Sequence, residues 1–142
     1  MEAGVRNTVT NLEDDIEVIE SGYEFLLAYA AQGRPPQVET GPGPHPRAEL
    51  VAMLKAMEHA GEQLAGSSNA FELVVIEDLK KASAAVGFVL AQPKIGSEVI
   101  DNLNASIHLR TVLTDFFLYS EAFKPVAQNS DAEAPGWDKV GN

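Results

Sequence analysis

Apolar residues recur along this chain at intervals of three and four in four long segments, each bounded by capping residues, glycine or proline. That period belongs to helices, because residues three and four apart share one helical face. Thr10-Asn11-Leu12-Glu13 has the form of a capping box. After it, Ile16, Ile19, Tyr23, Leu26, Leu27 and Ala30 fall on one stripe, which predicts a first helix over 11–32. Gly33, Pro35 and Pro36 stop it. Pro46 suits the first turn of a second helix over 46–65, whose stripe is Leu50, Leu54, Met57, Gly61 and Leu64. Asn69-Ala70-Phe71-Glu72 opens a third over 70–92, ending before Pro93. A fourth is expected over 97–124, with Ser97 as its cap and Ile100, Leu103, Ile107, Leu113 and Phe116 among its apolar positions.

No segment alternates with the period of a strand, so the pattern predicts an all-α fold, an up-down four-helix bundle. Its first connector, residues 33–46, holds five prolines and three glycines and is long for a link between helices. It is expected to cross the bundle or to offer a contact surface. The third helix is apolar nearly all round in its C-terminal half, which predicts that it is the most completely buried. One domain over 1–126 is expected. Residues 127–142 are polar apart from Trp137 and Val140 and read as a flexible tail.

Composition narrows the possible roles. Ten basic against 21 acidic residues give a net charge of -11, which opposes binding to phosphate backbones and to anionic membrane surfaces. The expectation is therefore no nucleic acid and no membrane. The chain has no cysteine, which removes disulfides, thiolate metal sites and cysteine nucleophiles. Nothing apolar follows Arg6 in the manner of a secretory signal, so a cytoplasmic location is expected.

Candidate chemistry is sparse. A carboxylate-bridged metal pair in a bundle needs Glu-x-x-His motifs. None of His45, His59 and His108 has an acid three residues before it. His59 also invites comparison with a phosphoacceptor histidine, but Glu58 and Glu62 beside it oppose a phosphoryl group. No nucleophile elbow, zinc-protease motif, phosphate loop or dinucleotide fingerprint occurs. No catalytic residue, metal ligand or cofactor is assigned.

Three features point to recognition instead. Ser83, Gly87 and Ala91, four residues apart, form a strip of small side chains where another helix can approach closely. Phe116, Phe117, Tyr119 and Phe123 cannot all share one stripe, so part of that surface needs cover. Trp137 either folds back or docks elsewhere. These residues are the candidate interface of a non-enzymatic protein that acts through protein-protein contacts, self-associating as a homodimer or meeting another protein. The alternative is a small-molecule or metal-binding bundle in which Glu20, Glu24 and Arg110 face the interior as ligand-binding groups.

Overall fold

The computed structural model describes residues 2–122, and the side chains from Leu12 onward. The chain is all-α there: α1 Glu2–Ala31, α2 Pro46–Leu64, α3 Ala70–Leu90, α4 Ser97–Ala105 and α5 His108–Ala122. Among the described residues there is no strand, only an isolated bridge between Gln37 and Ile95.

α1 starts well before the expected position, so Thr10 lies inside the helix and does not cap it. Its end is as expected: Gly33 takes φ 64°, the left-handed conformation that closes a helix at little cost for glycine. α3 begins as predicted, with the Asn69 side chain accepting from the backbone N–H groups of Phe71 and Glu72. α2 has Pro46 in its first turn, and the residue before it, His45, gives no capping bond. Glu39 of the connector does that work, its Oε1 accepting from the Arg47 N–H at 2.9 Å.

The predicted fourth helix is two. Ile107 sits at φ 62° between α4 and α5, a conformation that costs a β-branched residue on the order of 1 kcal/mol or more. Ser106 ends α4 by donating from Oγ to the Leu103 carbonyl at 2.6 Å. Ser97 is not a cap but the first residue of α4, and it is buried.

α1 packs against α2, α4 and α5, and α3 against α2, α4 and α5, while α1 and α3 lie diagonally opposite, with no Cα pair within 8 Å. One hydrophobic cluster runs through all five helices, with Leu12, Ile19, Leu26, Leu50, Met53, Val75, Val86, Ile100, Val112 and Phe116 fully enclosed. Burying an aromatic such as Phe116 contributes roughly 2–3 kcal/mol. α3 is not the most enclosed helix: Leu73, Val74 and Phe88 are exposed on its outer side. Its buried positions are a single stripe of Val75, Leu79, Ala82, Val86 and Val89. The high apolar content of α3 thus serves two faces.

The connector neither crosses the bundle nor stands free. Ser97 Oγ accepts from the Arg34 N–H at 2.7 Å and donates to the Tyr29 carbonyl at 2.6 Å, and the Ser97 N–H donates to the Arg34 carbonyl. Arg47 donates from Nε to Glu39, and from its two terminal nitrogens to the carbonyls of Leu90 and Gln92, both at 2.7 Å. One guanidinium therefore joins the start of α2, the connector and the unpaired carbonyls at the end of α3. No described helix is long and apolar enough to cross a membrane.

Candidate functional site

The aromatic cluster of α5 is divided by the helical turn. Phe116 and Tyr119 face inward and belong to the core, so neither is open to a partner. The Tyr119 hydroxyl donates to Glu72 on α3 at 2.7 Å, and burial together with that carboxylate pushes its pKa up. Phe117 and its neighbour Leu118 stay exposed. Phe123 and Trp137, and the tail as a whole, lie outside the described residues.

The small strip of α3 is left partly open by the other described residues. Ser83 and Gly87 are half-buried and Ala91 is exposed. A methyl group added at Gly87 meets nothing within 4 Å, so tight packing against the described residues does not explain this glycine. Beside it Phe88 is 70% exposed, the most exposed large apolar side chain among the described residues. Sequence reasoning passed over Phe88, Leu73 and Val74 because an apolar helix was assumed to be enclosed. The signal that marks them is their phase, roughly opposite the Val75–Val89 stripe.

The three proposed ligand groups do not face the interior. Glu20, Glu24 and Arg110 are all exposed. Arg110 lines a shallow groove of about 220 Å³ with Ile107, Thr111, Thr114 and Asp115. Within it the Thr114 hydroxyl is committed to the Arg110 carbonyl. Asp115 approaches Asp78 of α3, and desolvation followed by that neighbouring carboxyl raises its pKa to about 7. Two carboxyl groups so close are tolerated when one keeps its proton. The Asp115 Oδ2 atom is buried without a hydrogen bond of its own.

His59 has a partner that the sequence did not announce. Its Nδ1 lies 2.7 Å from Oδ2 of Asp15, which is nearly buried on α1. Hydrogen bonding to Asp15 raises the His59 pKa, while burial raises that of Asp15 and His59 partly offsets it. The pair ties α1 to α2 and holds the imidazole in one orientation. Among the described residues no three His, Cys, Asp or Glu side chains are grouped to hold a metal ion. The polar groups that converge among the described residues therefore join helices to one another, and the outer side of α3 is one apolar surface that those residues leave open, Phe117 and Leu118 of α5 being another. Compared with known proteins, the chain matches no family model, no curated protein sequence and no solved structure.

Proposed function

We propose that this protein is a non-enzymatic contact module that self-associates or binds another protein, as an adaptor, regulator or accessory factor, through the outer face of α3. Its architecture is read as an up-down four-helix bundle whose fourth helix is broken into α4 and α5. One observation carries the reading: Phe88 stands 70% exposed beside Gly87, where a methyl group meets nothing within 4 Å. A large aromatic next to open backbone is the form of a knob beside a hole, and aromatics of this kind dominate binding energies at interfaces.

Gly87→Leu fills the open space without touching the core. Native mass spectrometry of this variant is expected to show a lower association state than the parent at equal helicity by circular dichroism. An unchanged mass distribution removes the strip from the interface.

Ligand binding is the second reading, favoured by the Arg110 groove with its half-buried Asp115. It requires a surface site rather than an interior one. In the same spectra it predicts a small excess mass that Arg110→Ala abolishes.

A further inference from the structure

The outer face of α3 carries a pattern that is complementary to itself. Val74, Glu77, Lys81, Ala84 and Phe88 follow one another at steps of three, four, three and four, the spacing of a seam between two coiled helices. All five are exposed. Apolar groups occupy the two ends of this row, Val74 with Leu73 at 47% and 46% exposure and Phe88 at 70%. Charge occupies the middle. Val74 and Phe88 stand about 21 Å apart along the axis with Lys81 midway between them.

Resting on the self-association reading above, we infer that α3 pairs with α3 of a second copy, antiparallel, about a twofold axis passing beside Lys81. An interface of this symmetry needs each feature and its complement on the same surface. Reversing the row about Lys81 brings Phe88 of one copy onto Leu73 and Val74 of the other, twice. Ala84, Gly87 and Ala91 supply the low relief that lets the backbones approach. Lys81 makes no ion pair among the described residues and has the reach to meet the partner's Glu77 one turn away. Among the described residues Glu77 pairs only with Lys80, at 3.3 Å in an exposed pair, which is easily exchanged.

Charge limits where a second copy can sit. With a net charge of -11, two copies repel over most of their surfaces. The outer side of α1 is the extreme case, with Glu13, Asp14, Glu17, Glu20 and Glu24 exposed. α3 lies diagonally across from α1, and its seam carries both signs, Glu77 with Lys80 and Lys81. The two Lys81 ammonium groups come near each other at the axis, and the partner's Glu77 on either side offsets their repulsion.

The absence of cysteine makes the arrangement directly testable, since each introduced thiol is unique. Under mild oxidation Lys81→Cys is expected to give a disulfide-linked dimer, because its two copies meet at the axis. Val74→Cys alone is expected to give none, its copies lying about 21 Å apart, whereas mixing Val74→Cys with Phe88→Cys gives the crossed dimer. Lys81→Glu should weaken association about tenfold, and adding Glu77→Lys should restore it. Linkage of Val74→Cys to itself overturns the antiparallel register. A parent dimer by native mass in which Lys81→Cys fails to link overturns this seam but leaves self-association standing. A parent that is monomeric at every concentration overturns both.

Discussion

Asp78 and Asp115 face each other across the contact between α3 and α5, and the arrangement depends on a proton. Asp115 holds it to a pH of about 7, against about 3.8 for a free side chain. Below pH 4 both folded and unfolded chains carry that proton. Between about pH 4 and 7 the unfolded chain releases it first, so this group lowers stability as pH rises through that window and adds no further loss above it. Because the site is partly open to solvent, the effect is about 1 kcal/mol. Asp115→Asn keeps a donor toward Asp78 and removes the titration. It is expected to raise stability by about 1 kcal/mol near pH 8 and to leave it unchanged near pH 4, as read by urea denaturation. Equal stability of variant and parent at both pH values rules out this account of the pair. None of this was legible in the sequence. Asp78 and Asp115 are 37 positions apart, and only the packing of α3 on α5 brings them together. The same holds for Asp15 and His59, whose contact is 44 positions long.

Elements were more legible where a residue's own backbone decides them. Pro46, Asn69 and Gly33 act at the helix ends where their chemistry puts them. The break at Ile107 escaped because neither glycine nor proline marks it; a β-branched residue is the last expected in a left-handed turn. A trace remains in the spacing of the core residues. Leu103 and Leu109 are buried with no enclosed apolar position between them, a gap of six that one continuous helix does not leave. The loop between α3 and α4 holds a strict steric requirement set by backbone. A methyl group on Gly96 falls within 2.6–2.9 Å of the backbone of Arg34, Pro35 and Pro36. Backbone cannot step aside as a flexible side chain does. Gly96→Ala is therefore expected to lower stability by about 2–3 kcal/mol in thermal or chemical denaturation. A loss below about 0.5 kcal/mol means that the connector moves freely.

Among the described residues α1 and α3 turn different chemistry outward. α1 presents a row of carboxylates, and α3, which lies diagonally across from it, presents Leu73, Val74 and Phe88 around Glu77, Lys80 and Lys81. Composition shows the excess of acid, but only the fold shows which carboxylates share the outer side of α1. The ends of the molecule are equally unlike. At one, the connector and the α3–α4 loop are laced together through Arg34, Glu39, Arg47 and Ser97. At the other, the turn between α2 and α3 is held by local bonds among Leu64, Ser67 and Asn69. Hydrogen exchange should read the difference: the amides of Arg34, Arg47 and Ser97 exchange at rates close to those of helix interiors, and the amides of Gly66 and Ser68 exchange first. Fast exchange at Arg34 and Ser97 contradicts that lacing. A stretch with five prolines and three glycines thus works as a clasp rather than a hinge. Thermal opening begins from the plain turn at the far end, and the segment richest in residues that forbid regular structure is among the last to let go.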